Sequence, residues 1–161
     1  MIIRKSEEKD IPKINEIYDS AKTFMAENGN PTQWACKGSP CEEIVRDDIS
    51  KGVGYVCEDD GEIVAVFMFN VGNDKTYEKI YDGAWKSEAP YAVIHRIAVK
   101  YHGRGIVDFC FSECFKMHPN IRIDTHINNI PMQKVLSRNG FEYCGVIYLP
   151  NGEDRIAFQK V

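Results

Sequence analysis

The stretch that decides the fold runs from Ile94 to Val107 and reads I-H-R-I-A-V-K-Y-H-G-R-G-I-V. Over Tyr91 to Val99 the residues alternate, with Tyr91, Val93, His95, Ile97 and Val99 on one side and Ala92, Ile94, Arg96 and Ala98 on the other. That is the period of a β-strand. A tight segment, Lys100 to Gly105, then feeds a helix expected over Ile106 to Lys116. A strand that passes through two glycines straight into a helix leaves backbone N–H groups with no partner inside the helix. The helix N-terminus adds partial positive charge, and Gly103 and Gly105 allow close backbone approach. Such a turn is either a plain strand–helix connection or an anion site suited to phosphate and pyrophosphate.

Reading outward in both directions gives the other elements. Ile2 to Lys5 forms a first strand, and Asp10 is placed to cap a helix whose first turn holds Pro12. Ile14, Ile17, Tyr18, Ala21, Phe24 and Met25 follow helical spacing until Asn28-Gly29-Asn30-Pro31 stops them. Ser39-Pro40 opens a second helix with Ile44, Val45 and Ile49 inward. A hairpin follows, Gly54 to Glu58 and Ile63 to Val71 around Asp59-Asp60-Gly61. Asn73 to Gly83 reads as a loop with one helical turn. Beyond the central strand–helix pair come a strand over Ile121 to Thr125 and a helix over Pro131 to Arg138, ended by Asn139-Gly140. A last hairpin runs Phe141 to Leu149 and Asp154 to Lys160. The order β-α-α-β-β-β-α-β-α-β-β predicts an α/β (α+β) architecture with a mixed sheet, in a single domain spanning residues 1–161.

Composition narrows the function classes. A length of 161 residues suits one domain, and 43% hydrophobic with 27% charged residues is ordinary for a globular protein. A net charge of −4 argues against a nucleic-acid partner, which needs a basic face. The start, MIIRKSEEKD, has no apolar signal core, and no run reaches the ~20 apolar residues of a membrane span, so a soluble cytoplasmic protein is expected. In that compartment the six cysteines read as free thiols. Cys36 and Cys41 lack the spacing of a zinc site, and Cys110 and Cys114, beside Phe109, Phe111 and Phe115, read as small core residues, so no metal is expected.

Two familiar phosphate motifs are tested first. No Walker A string occurs. Gly103-Arg104-Gly105 begins a dinucleotide fingerprint, but Asp108 stands where its third glycine belongs; Asp124, about 20 residues on, would be the ribose acid. A small nucleotide-binding domain is thus one alternative. Instead, V-x-x-x-G-R-G-I after I-A-V resembles the acetyl-CoA signature of the GNAT superfamily of N-acetyltransferases, Gln/Arg-x-x-Gly-x-Gly/Ala. His102 falls on the first position, Gly105 on the central glycine and Val107 on the last small position. A second stretch, Asn129, Met132, Leu136 and Gly140-Phe141, resembles that family's Asn-x-x-Ala-x-x-x-Tyr-x-x-x-Gly-Phe. The element order resembles the GNAT fold over the whole chain. Gln33-Trp34, Y-x-x-I-Y-D-G-x-W ending at Trp85, and H-R-I-A-V resemble a bacterial subgroup of predicted acetyltransferases.

The resemblance implies an N-acetyltransferase that moves an acetyl group from acetyl-CoA to a primary amine of a small molecule or peptide by direct attack, as a monomer or homodimer. It implies cofactor contacts at Ile97, Ala98, Val99, His102, Gly103, Arg104, Gly105, Ile106, Val107, Asn129 and Met132. It also places the backbone N–H of Val99 as donor to the developing oxyanion. A lysine-like amine, of ordinary pKa ~10.4, must lose a proton first. His95 is the candidate base, four residues before Val99, against the alternative of a packed sheet histidine; an ordinary imidazole pKa near ~6.5 suits the task. Leu136 replaces the family's tyrosine acid, leaving Tyr143, Ser137 or Tyr148 as substitutes, or unaided thiolate departure. Without an acid, a non-catalytic acyl-CoA-binding module is the other alternative. Trp34, Tyr77 and Trp85 are candidates for the acceptor side or for loop packing. Asn129 is read either as a pantetheine contact or as a helix cap.

Overall fold

A computed structural model describes residues 1–34 and 40–161. Cys36 and Ser39, read above as a thiol and as the opening of the second helix, lie outside the described residues. Seven strands, β1 (Ile2–Lys5), β2 (Gly54–Asp59), β3 (Glu62–Val71), β4 (Ala92–Val99), β5 (Ile121–Thr125), β6 (Glu142–Tyr148) and β7 (Asp154–Lys160), form one mixed sheet in the order β1-β2-β3-β4-β5-β7-β6. The helices are α1 (Ile11–Glu27), α2 (Glu42–Ser50), α3 (Ile106–Met117) and α4 (Ile130–Arg138), with 3-10 turns at Glu8–Asp10 and Lys75–Tyr77. The chain divides into two compact units, residues 1–69 with 96–110, and residues 70–95 with 111–161.

In the first unit, β1, β2 and β3 pair antiparallel. The β2–β3 turn has positive φ at both Asp60 and Gly61, the left-handed geometry that suits a two-residue hairpin. Val56 and Val66, partners in register, face Ile14, Ile17, Tyr18 and Ala21 of α1 and Val45 of α2 in one apolar cluster with Ala98. The next residue, Cys57, turns the other way and meets Cys110 of α3, so helices cover both faces, as period-2 alternation requires. Asp10 precedes α1 as expected but does not cap it. Its carboxylate accepts from both terminal nitrogens of Arg4, at 2.8 and 2.9 Å, and from the Glu7 N–H at 2.8 Å. A charge-assisted fork outweighs a single cap bond.

Arg96 breaks the alternation read for β4. Its φ of +55° is a left-handed conformation that costs a non-glycine residue about 1–2 kcal/mol. Three contacts hold it there. Its carbonyl accepts from the Tyr18 hydroxyl at 2.9 Å, and its guanidinium donates to both Asp48 oxygens at 2.8 Å. Asp48, in the middle of α2, is buried, which the reading of α2 as carrying only Ile44, Val45 and Ile49 inward did not include.

In the second unit, β5 lies between β4, parallel to it, and β7, antiparallel to it. One face of this sheet, carrying Ile121, Ile123 and Phe158, takes the helices; Phe111 packs on Phe141 at 5.2 Å, and the Lys160 ammonium lies 4.3 Å over Phe115. The opposite face carries Val93, Arg122, Asp124 and Gln159 and is covered by the segment 73–91. Arg122 is held between the rings of Trp85 and Tyr91, at 4.2 and 4.0 Å, and donates to the carbonyls of Tyr77 and Ser87. Gln159 accepts from the Lys86 N–H at 2.7 Å. Backbone and side-chain hydrogen bonds thus fasten an otherwise irregular connection to the sheet.

Candidate active site

The strand-to-helix turn takes the form its glycines require. Gly103 and Gly105 have φ of +75° and +70°, and a Cβ built on either meets nothing closer than 4.0 Å. The conformation therefore demands glycine, and the space above the backbone is open, which fits a bulky anion on the first turn of α3. Ile97, Ala98 and Val99 are buried, as is Ile106, whereas His102, Gly103, Arg104 and Gly105 are exposed and Val107 is half-buried. The His102 ring stacks on Phe24 with centroids 3.7 Å apart, and desolvation holds its pKa below the ordinary histidine value. At neutral pH it brings a hydrogen-bonding ring to the turn and no charge. The Arg104 guanidinium lies over Tyr101 at 4.3 Å and brings a cation to the turn, while Asp108 adds a negative charge in the first turn of α3.

The second constellation surrounds His95. Nε2 lies 2.8 Å from Oδ2 of Asp74, whose other oxygen accepts from the Thr76 N–H at 2.9 Å and so caps the 3-10 turn. The backbone N–H of Asp74 donates to the Tyr91 hydroxyl at 2.9 Å. The carboxylate is fixed from two sides, and its pKa is lowered by the hydrogen bond from His95 first and by Thr76 further down. An ionised partner accepts, so Nε2 carries the proton in the neutral ring and Nδ1 keeps the lone pair. Nδ1 faces Oδ1 of Asp124 at 3.9 Å. That oxygen accepts from the Tyr77 hydroxyl at 2.5 Å. Burial and the neighbouring Asp124 raise the Tyr77 pKa well above the usual phenol value, so it is a neutral donor. His95 and Asp74 side chains are each 21% exposed and Asp124 is 13% exposed, so all three are partly buried.

β5 positions Asp124 for this role. Val93 and Arg122 are register partners, so one alternation further on, His95 and Asp124 project from the same face of neighbouring strands. The β4–β5 ladder pairs Ala92 with Ile121 and Val93 with Arg122 and stops there. Asp124, weighed above as a ribose acid, accepts from the Tyr77 hydroxyl and faces Nδ1 of His95.

The other expected site residues fall elsewhere. Tyr77 is 0% exposed, and Trp85 is buried with its indole N–H donating to the Tyr77 carbonyl at 3.0 Å. Neither ring presents a face to an acceptor: the connection needs them as its own core, and only the Tyr77 hydroxyl reaches the site. Trp34, half-buried, packs edge-on against Tyr18 at 5.7 Å, on the outside of the first unit's core. Asn129 caps α4, its Oδ1 accepting from the Met132 N–H at 3.2 Å. Met132 is half-buried in the first turn of that helix. Leu136 is fully buried. Tyr143 is 55% exposed on the edge strand β6, its ring edge-on to Phe158. Asp74 lies in a loop, with no sequence period to mark the direction of its side chain.

Among the described residues no group of three or more side chains has the arrangement of a metal site, and no described helix is long and apolar enough to cross a membrane. No protein-family model and no curated protein matches the chain. Solved structures do. A GNAT-family acetyltransferase from Streptococcus agalactiae 2603 superposes with a TM-score of 0.91 at 30% identity, over 99% of this chain and 94% of the other. A GNAT-family acetyltransferase from Listeria monocytogenes 4b F2365 gives 0.72 at 20% identity, over 99% and 93%. The NatB acetyltransferase complex bound to CoA and MES gives 0.64 at 9% identity over 99% and 98%, a likeness of fold alone.

Proposed function

The chain belongs to the GNAT family of acetyltransferases, and from that premise we propose that it moves an acetyl group from acetyl-CoA to a primary amine of a small molecule or peptide, by direct attack of the amine. Acetyl-CoA supplies the activated acetyl thioester. The turn from Gly103 to Val107 holds its pyrophosphate on first-turn N–H groups, with Arg104 as the nearby cation. The CoA bound to the NatB complex supports this choice of donor. The Val99 N–H, at the end of β4, donates to the carbonyl oxygen as negative charge develops there. His95 takes the amine proton at Nδ1.

The observation that carries the catalytic part is the 2.8 Å contact between Nε2 of His95 and Asp74. It fixes the tautomer and orientation of the ring and stabilises the imidazolium that forms on proton uptake. A module that only binds acyl-CoA has no use for a carboxylate-oriented histidine. The test is release of free CoA thiol on mixing the protein with acetyl-CoA and a panel of primary amines. His95→Ala should lower kcat/KM by about 10²–10⁴-fold, leaving acetyl-CoA affinity unchanged. Tight acetyl-CoA binding with no thiol release for any amine would establish the binding module instead.

A further inference from the structure

We propose that Asp124 and Nδ1 of His95 form a two-acceptor clamp for the acceptor's ammonium, which makes Asp124 a specificity-determining residue and a protonated amine the form in which the acceptor binds. The inference rests on the acetyl-transfer reading and adds to it the class of acceptor and the group that selects it. Two acceptors face each other here: the Nδ1 lone pair, because Asp74 occupies Nε2, and Oδ1 of Asp124, 3.9 Å away. That is too far for a hydrogen bond between them, and neither supplies a proton to the other when the ring is neutral. One nitrogen about 2.9 Å from both fits the gap and subtends an angle of about 85° there, within reach of two N–H bonds of a single tetrahedral ammonium. A hydroxyl has one proton and satisfies only one side.

The neighbouring groups support the assignment. The Tyr77 hydroxyl, at 2.5 Å, anchors the Asp124 carboxylate. The charge of Asp74 is shared with His95 and Thr76. Arg155, the cation whose field acts on Asp124, has its own hydrogen bonds to the Asp154 carbonyl and to Glu153. The proton balance is simple. The bound ammonium gives one proton to Nδ1 and keeps one N–H on Asp124 throughout; its third proton leaves the nitrogen as the amide forms and goes to the departing thiolate or to solvent. The freed lone pair forms the C–N bond, the C–S bond breaks, and the thiolate leaves with its electron pair.

The test uses the whole protein with ¹⁵N-labelled histidine, under conditions where the ring-nitrogen resonances of His95 show the neutral ring. The ring nitrogens of His95 are assigned by comparison with His95→Ala. Titration with n-butylammonium chloride should shift the His95 Nδ1 resonance saturably, and n-butanol should not. In D124N, whose amide oxygen can still accept from Tyr77, the apparent Kd for n-butylammonium should rise on the order of tenfold or more. With an amine that proves to be a substrate, its KM should rise by a similar factor while kcat changes less. If D124N does not fold, D124S carries the same expectation. An unchanged Kd in either variant, an equal response to n-butanol, or no response in the unmodified protein overturns the clamp. Failure of the acetyl-transfer reading looks different: the ammonium response and its loss in D124N persist, but no amine releases thiol from acetyl-CoA.

Discussion

Replacing Asp74 by asparagine should do more than remove a charge: it should move the proton of His95 to the wrong nitrogen. The carboxylate has two acceptor oxygens and the structure uses both, Oδ1 for the Thr76 N–H at 2.9 Å and Oδ2 for Nε2 of His95 at 2.8 Å. An amide has one acceptor end and one donor end. With its oxygen on Thr76 the cap survives, the NH2 faces Nε2, and the ring answers by carrying its proton on Nδ1, where it cannot act as a base. The reverse orientation keeps the useful tautomer but sets two donors against each other at Thr76, at a cost of about 1–2 kcal/mol for the lost cap. That makes the competent tautomer about 5–30-fold rarer. Loss of the charge beside a partly exposed imidazolium costs about 1 kcal/mol more. The product is a fall in kcat on the order of 10²-fold, read from thiol release at saturating acetyl-CoA. Asp74→Ala removes charge and cap but dictates no tautomer, so it should be the less stable protein and the faster enzyme of the two. An asparagine variant as fast as the alanine variant would refute the claim that Asp74 works by setting the tautomer.

Three further expectations are independent of the chemistry. Because Arg96 sits at φ +55°, Arg96→Gly should be more stable than Arg96→Ala by about 1 kcal/mol in urea unfolding, the reverse of their usual order in a strand, since both lose the Asp48 fork equally. Asn129→Ala should cost about 1 kcal/mol, lowering Tm by about 2–4 °C, with the KM for acetyl-CoA unchanged, because Oδ1 caps α4; a raised KM at constant Tm would make Asn129 a pantetheine contact instead. Arg4, with help from the Glu7 N–H, holds the Asp10 carboxyl below its usual range, so its contribution is fully present above the unfolded value near ~3.9 and is lost as pH falls through the lower folded value; Asp10→Asn should flatten the acid limb of the stability curve, which equilibrium unfolding between neutral and acid pH would read.

The parts of this fold legible in the sequence are those fixed by local period and turn chemistry. The central strand, the two-glycine turn and α3 announce themselves within fourteen residues, and Asp60-Gly61 sets the β2–β3 hairpin as written. What stayed hidden depends on partners outside the element being read. Asp10 looks like a cap because Arg4, on β1, is not visible as its partner. Arg96 looks like an ordinary strand residue because its strain is balanced by Tyr18 and Asp48, 78 and 48 positions away. The site divides in the same way. His95 was found from its place on β4. Asp124 needed the β4–β5 register to bring it opposite, though the alternation Arg122, Asp124 among Ile121, Ile123 and Thr125 already marked one polar face on β5. Asp74 needed the fold of a loop, which has no period.

In the proposed reaction, magnitudes favour furnishing the base side of the site over the acid side. A thiol of ordinary pKa ~8.5 is about 1.5 units from ionised at pH 7, so a thiolate can leave unprotonated at a cost of about 2 kcal/mol. An alkylammonium of pKa ~10.4 is about 3.4 units from reactive at the same pH, or about 5 kcal/mol. The larger barrier is where a protein gains most by placing groups, and the residues follow it. Leu136, at the position of the family's tyrosine, is 0% exposed and has no proton to give, and Tyr143 points from an exposed edge strand. His95, Asp74, Asp124 and Tyr77 are instead linked by contacts of 2.5 to 3.9 Å around one imidazole. In the proposed reaction, lack of an acid would raise the smaller barrier, whereas loss of the tautomer lock or of the ammonium's counter-charge would raise the larger one. An enzyme working by the proposed route would depend on how its acceptor is deprotonated far more than on how its leaving group is protonated.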